Sequence, residues 1–451
     1  MESHGAVRRG GHDRLVVLDG LRLLSALMVV VYHLLHGEGV RDDAWRASTG
    51  ELFPGLAGAA AYGWLGVEMF FLISGFVICM SSWGRTVGEF AVARVVRLYP
   101  AYWFAVVATT TVLVLFPVFA THRDWTHVLV NLTMLQSLMG VPDVEQAYWT
   151  LSVELLFYVL FALVVVARGV TVRRVVAFCA LWTLASLAAP WANNAAVSMF
   201  LGRGYAQYFI AGIAFYLMYR FGANVLLWGI VGGSWIIAIS RLWGEIDTYD
   251  TSSFLPAAGC VTVFFVVMAV IANGRADRVR WRWLTTAGAL TYPLYLLHAQ
   301  IGLTVIAAAR PYLPAWALLG ATIAGLLLLA YLVHRLVERP AAKRLRRALL
   351  RSLDSIRAAD AALAGPAPRV PMPRAAEPGP VAEPGPVAKP APAPVAEPAP
   401  VAEPAPVTEP APVTEPAPVT EPALVTASEP RDGEVADRGR EGLYRSSAAR
   451  M

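Results

Sequence analysis

An arginine and a histidine interrupt the first apolar stretch of the chain. In LVVLDGLRLLSALMVVVYHLLH (15–36), Arg22 and His33 are eleven positions apart. At 100° per residue that spacing returns both side chains to within about 20° of one helical face, and at 1.5 Å per residue it separates them by roughly 16 Å. Ionisable groups inside a membrane span are costly and by default mark a site or a pathway. Histidine exchanges protons near neutral pH, and the arginine fork suits carboxylates and phosphates. Two such groups at different depths fit a substrate that enters from one side and reacts farther in. The competing reading of His33 is a structural hydrogen bond to another helix, or a position near the headgroups.

Other candidates follow from their places in later apolar stretches. Glu68 lies in GVEMFFLISGF, Glu154 in WTLSVELLFY and His298 in TYPLYLLH. If the amino terminus is inside, alternating span directions put His33, Glu68, Glu154 and His298 in one outer zone. A carboxylate beside His33 would favour its protonated form and raise its basicity, and a base at that depth suits removal of a hydroxyl proton. Tyr292 and Tyr295 fit packing or the membrane interface as well as a site, and Glu68 fits a structural pair with an arginine. In FAVARVVRLYPAYW, Arg94 and Arg97 are three apart and share a helical face. They suit lipid phosphates or, with Arg22, an anionic nucleotide ligand. Tyr99, Tyr102 and Trp103 are read as marking the membrane boundary. Between Arg22 and His33 the stripe carries Ser25, Ala26 and Val29. These small side chains fit a groove for a slender ligand arm, or close helix packing.

The elements that must position these groups are spans. Apolar residues make up 57% of the chain and charged residues 15%, with a mean hydropathy of +0.53, far from a soluble domain. About ten segments qualify as spans, near 15–36, 60–81, 98–119, 148–167, 174–190, 205–221, 224–241, 254–273, 285–308 and 315–337. The first carries charges and lacks a small-residue cleavage pattern, so it is expected to stay in the protein. Nineteen basic residues fall in one set of loops and six in the other, which places both termini in the cytoplasm by the positive-inside rule. The pI of about 9.1 therefore reflects topology and anionic lipid contact, and nucleic acid is not expected as a partner. Cys79, Cys179 and Cys260 have no CxxC spacing, so neither a disulfide framework nor a metal site is signalled.

The expected organisation is an all-α polytopic membrane protein. It comprises a cytoplasmic segment (1–14), a membrane domain (15–340), a basic juxtamembrane segment (341–365) and a disordered tail (366–451). The tail repeats EPAPVA and EPAPVT, with Glu397, Glu403, Glu409, Glu415 and Glu421 six apart. Proline at this density excludes helix and central strand. Polyproline II has three residues per turn, so a period of six aligns the glutamates on one edge. At about 3.1 Å per residue, Glu377 to Glu429 would reach roughly 160 Å. A semi-rigid spacer or a docking segment for a protein partner fits this pattern.

Taken together, the motifs LDGLR, GVEMFFLISGF, ARVVRLYPAYW, WTLSVELLFY, TYPLYLLH and VERP resemble the integral-membrane acyltransferase family three, the O-antigen acetylase type. The resemblance runs from about Leu18 to Pro340. It implies acyl transfer from cytoplasmic acyl-CoA to a hydroxyl of a glycan, a lipid-linked sugar or a natural product, with no bound cofactor or metal. It implies His33 and Glu154 as catalytic residues, and Arg22, Arg94 and Arg97 as donor-binding ones. Asp19, Glu68, Tyr99, Trp149, Ser152, Tyr292, Tyr295 and His298 are supporting positions. The chain departs from the family at LLHAQ, where proline often follows the histidine, and at Glu68, where aspartate is frequent. A transporter or flippase with a proton relay is the alternative, and no duplication of half the spans favours it. A scaffold for the tail would leave the intramembrane charges unexplained.

Overall fold

The computed structural model describes residues 15–37, 41–117, 124–192, 194–202, 204–248, 253–279 and 281–363. The expected segments 1–14 and 366–451 lie outside these residues. Twelve principal helices carry the fold: α1 (Val16–Leu35), α2 (Gly66–Ser82), α3 (Val87–Leu115), α4 (Trp149–Val164), α5 (Val172–Ala188), α6 (Ala206–Phe221), α7 (Val225–Thr248), α8 (Phe254–Ala272), α9 (Arg282–Leu297), α10 (Ala299–Ala309), α11 (Ala315–Val333) and α12 (Arg339–Leu363). No strand occurs among the described residues. Among the described residues, eight helical stretches are long and apolar enough to cross a membrane, and α9 with α10 makes a ninth, bent by 71°. The remaining apolar segment, α6, has 16 residues, about 24 Å, against roughly 30 Å of hydrocarbon core. It is enclosed instead: every residue from Ala206 to Met218 is buried.

Lipid tails give apolar helices little reason to associate, so close backbone approach through small residues carries the packing. A Cβ at Gly75 would lie 2.1 Å from the Phe209 carbonyl, and one at Gly212 would lie 2.1 Å from that of Leu72, which locks α2 against α6. The turn before α2 meets α1 in the same way. A Cβ at Gly63 would lie 2.3 Å from the Met28 carbonyl, and one at Gly66 would lie 2.5 Å from that of Ser25. The small-residue stripe of α1 is therefore used for packing, with Ser25, Ala26 and Val29 all buried, and it does not leave a groove. On the other flank of α1, a Cβ at Gly288 of α9 would lie 2.5 Å from Asp19 Cβ.

The segment 131–148 departs from the expected outer loop. Tyr102, Trp103 and Tyr99 donate hydrogen bonds to the carbonyls of Asn131 (2.7 Å), Leu132 (3.0 Å) and Thr133 (3.0 Å). Tyr102 lies 13 residues before the end of α3, so the segment dips about 20 Å below that end. These aromatics hold an inserted loop and are more than boundary markers. Irregular backbone survives at membrane depth only where protein covers it and satisfies it. Here Asn131 donates to the carbonyls of His127 and Pro142 and accepts from the Val144 N–H. Gln136, Glu145 and Tyr148 are fully buried.

At the far end of the chain, α11 enters α12 through a π turn, His334–Glu338. The polar helix α12 then lies along the start of α3. There a capping box of Thr86 and Glu89 closes the α3 N-terminus, and Arg357 reaches both residues, at 3.0 and 3.1 Å.

Candidate active site

A cavity of about 820 Å³ opens among α1, α2, α3, α4, α9 and the α11–α12 junction. Its charged lining comprises five guanidinium groups, of Arg22, Arg94, Arg97, Arg335 and Arg339, against two carboxylates, of Asp19 and Glu154. That excess gives the cavity a positive field that favours an anion. Arg22 is 24% exposed and pairs with Asp19 at 3.3 Å. Arg94 donates to Ser81 Oγ at 3.3 Å, and its guanidinium lies over the rings of Phe90 and Tyr158. Arg97 lies over the Tyr292 ring and pairs with buried Glu338 at 2.9 Å. Glu338 also holds His334, at 2.8 Å. Tyr292 is itself fixed, because its hydroxyl donates to the Leu98 carbonyl at 3.0 Å.

Glu154 belongs to this cavity and not to His33. Its Oε1 accepts from Ser74 Oγ at 2.6 Å and from the Tyr158 hydroxyl at 2.5 Å. The expected zone shared with His33 assumed that α4 starts at the surface. The inserted loop before it carries the first turn inward, which brings Glu154 level with Ser74 in the middle of α2. Glu68 faces the opposite way. Its carboxylate is 1% exposed, with Oε2 lacking a hydrogen bond, and it lies within electrostatic reach of Glu245 on α7. No carboxylate bonds to His33 among the described residues.

The partner of His33 is His298. The two ring centroids are 4.9 Å apart, and His298 Nε2 lies 3.1 Å from His33 Nδ1. The neighbouring acceptors assign the protons. His298 Nδ1 lies 2.8 Å from the Tyr295 carbonyl, which only accepts, so Nδ1 carries hydrogen and Nε2 of the neutral ring is an acceptor. His33 Nδ1 lies 2.9 Å from the Val29 carbonyl, so it too carries hydrogen and is shared between Val29 and His298. The lone pair of His33 is left on Nε2.

His298 stands at the break between α9 and α10, and two residues of the inserted loop satisfy the backbone groups freed there. Tyr148 donates to the Leu296 carbonyl at 3.1 Å. Glu145 accepts the Gln300 N–H through both oxygens, at 3.3 and 3.2 Å. Ser152 stabilises the same loop by donating to the Met134 carbonyl at 2.9 Å. Trp149 packs its ring 5.2 Å from that of Tyr205.

The cavity stops short of the histidines. Tyr295 is the residue common to both: its side chain lines the cavity, and its ring lies 5.7 Å from His298. Phe70 lines the same end, 5.4 Å from Tyr295. The Tyr295 hydroxyl is tied to Thr150 Oγ1 at 2.7 Å.

A family model described as an acyltransferase domain matches residues 15–335, which includes α1 with its arginine and histidine and most of the cavity wall. The chain belongs to this acyltransferase family. Acyltransferase MdmB of Streptomyces mycarofaciens is 24% identical over 372 residues, covering 72% of this chain and 91% of that protein. A putative peptidoglycan O-acetyltransferase, YrhL of Bacillus subtilis, is 26% identical over 175 residues, 34% of this chain and 24% of its own length. Peptidoglycan O-acetyltransferase OatA of Listeria monocytogenes is 24% identical over 164 residues, 32% of this chain and 23% of its own length. The chain thus spans about a quarter of each of the last two. No solved structure matches. The protein is a multi-pass membrane acyltransferase, which removes the transporter alternative.

Several of the acyltransferase's site residues escape sequence reasoning. Tyr158 was within reach, since it follows Glu154 by four positions in ELLFY and shares its helical face. Arg335 and Arg339 have the same spacing, but Arg335 falls inside the last apolar run and Arg339 counts with the basic loop residues that follow it. Glu145 and Tyr148 carry no local signal, because their role depends on a helix break some 150 residues away.

Proposed function

We propose that this acyltransferase moves a short acyl group, such as acetyl, from acyl-CoA to a hydroxyl of a glycan, lipid-linked sugar or natural product. The observation that carries the reading is the committed tautomer of His33, which has both neighbours of Nδ1 accepting and a lone pair on Nε2. In the reaction the acceptor O–H gives its proton to His33 Nε2. The oxygen attacks the thioester carbonyl and the C–S bond breaks. The CoA thiolate leaves with the proton returned from the imidazolium, so ester and free thiol balance acceptor and donor. General-base help of this kind contributes about 10²–10⁴-fold.

Donor phosphates are held by Arg94 and Arg97, with Arg22 deeper, where charge-assisted hydrogen bonds are strongest. The slender pantetheine arm runs past Glu154, and displacement of the Tyr295 and Phe70 rings admits the thioester to His33. The distribution of basic loop residues supports a cytoplasmic side for the arginine end of the cavity and for both termini, the side on which acyl-CoA is made. The test is transfer of radiolabelled acetyl from acetyl-CoA to envelope and metabolite fractions in membranes carrying the wild type or His33→Ala. Loss of labelled ester with normal membrane insertion is expected, and near-normal transfer would overturn the assignment.

A further inference from the structure

Two cavity arginines have no part in the scheme above. Arg335 and Arg339 line the cavity from the α11–α12 junction, which meets the wall carrying Arg94 and Arg97 where Glu338 pairs with Arg97. Arg335 lies within a π turn, His334–Glu338, and Arg339 directly follows it; such a local widening of the helix is frequent at functional sites. Within that turn Glu338 points inward and is taken up by Arg97 at 2.9 Å and His334 at 2.8 Å. The carboxylate that could have neutralised the neighbouring arginines is thereby spent elsewhere. Arg335 donates only to a neutral group, the Tyr331 hydroxyl, at 2.9 Å. Neither Arg335 nor Arg339 has a carboxylate partner among the described residues.

The cavity therefore presents two adjoining cationic pairs, Arg94 and Arg97 on α3 and Arg335 and Arg339 at the α11–α12 junction. One diphosphate needs one of them. Coenzyme A carries two anionic centres, a diphosphate and a lone phosphate on the 3′ position of the ribose, set apart by the nucleoside. We propose that Arg335 and Arg339 form a subsite for the isolated 3′-phosphate of the donor, while Arg94 and Arg97 take the diphosphate. This inference rests on the acyl-CoA reading and assigns one end of the molecule within it. The planar guanidinium forks suit a terminal phosphate, which offers three oxygens to hydrogen-bond. A lipid headgroup phosphate has the same chemistry, and the test separates the two sources.

Equilibrium binding of CoA and of 3′-dephospho-CoA to the purified full-length protein in nanodiscs of fixed anionic lipid content provides the readout. The wild type is expected to prefer CoA on the order of tenfold, as one charge-assisted contact would give. An Arg335→Gln, Arg339→Gln double variant is expected to bind the two alike. The ratio is internal to each preparation, so partial loss of folded protein cancels. If the double variant does not fold, Arg335→Gln and Arg339→Gln taken singly are each expected to narrow the ratio. Equal binding of both ligands by the wild type would sink the subsite, leave the donor reading standing and return the two arginines to lipid headgroups. A preference that persists in the variants would also sink it. Failure of both ligands to bind would instead remove the acyl-CoA reading.

Discussion

Substituting the two histidines separately distinguishes a base from the group that orients it. His298 is fully buried, and its one side-chain contact with the proposed base is the 3.1 Å bond to His33 Nδ1. Replacing it with leucine removes that acceptor, but the His33 N–H keeps the Val29 carbonyl at 2.9 Å and is not orphaned. The loss is then one hydrogen bond, about 0.5–1.5 kcal/mol. At 1.36 kcal/mol per tenfold this lowers kcat/KM by roughly 2- to 12-fold. His298→Gln retains an acceptor oxygen in place of Nε2 and should stay within about threefold of wild type. His33→Gln removes the lone pair itself and should cost on the order of 10²–10⁴-fold. Initial rates of labelled acetyl transfer, normalised to monodisperse protein by fluorescence size exclusion, give all three values. If His298→Leu is as damaging as His33→Gln, His298 moves protons itself, and the division of roles argued from the two tautomers is wrong.

Two further outcomes test the frame around the pair. Glu145→Ala leaves the Gln300 N–H buried without an acceptor, a cost of about 1–3 kcal/mol, so melting temperature and transfer should both fall. Glu145→Gln, which keeps an acceptor, should fall less, and a wild-type melting temperature for the alanine variant would remove Glu145 from the helix break. Gly63→Ala places a Cβ 2.3 Å from the Met28 carbonyl and should lower stability by about 1–3 kcal/mol through overpacking. Gly229→Ala meets nothing within 4 Å and should leave thermal unfolding in detergent unchanged. Equal melting of the two variants would contradict the close approach to α1.

The residues that were legible in the sequence are those on which lipid imposes a direction. Arg22 faces inward because a guanidinium turned to hydrocarbon has no partner, and the eleven-residue spacing carries His33 to the same side. Apolar run length likewise located the candidate spans among the described residues, whereas the run that forms α6 is too short to be one and is enclosed by the other helices instead. Depth was harder. Counting Glu154 from the start of its apolar run assumes that the run starts at the membrane surface, and the segment 131–148 breaks that assumption. This segment has no hydrophobic period, and Asp143 and Glu145 give it the composition of an outer loop. Its irregular backbone is held by Tyr99, Tyr102 and Trp103, whose own motif reads as an interfacial belt. Once the loop is inserted, three consequences follow together. Glu154 drops to the arginine cavity, Glu145 and Tyr148 reach the backbone freed between α9 and α10, and the break presents His298 to His33. The pairing of the two histidines is thus set by a loop that contributes no atom to it, which is why a search for a carboxylate partner along the sequence finds Glu68 and Glu154 while the fold supplies a second histidine.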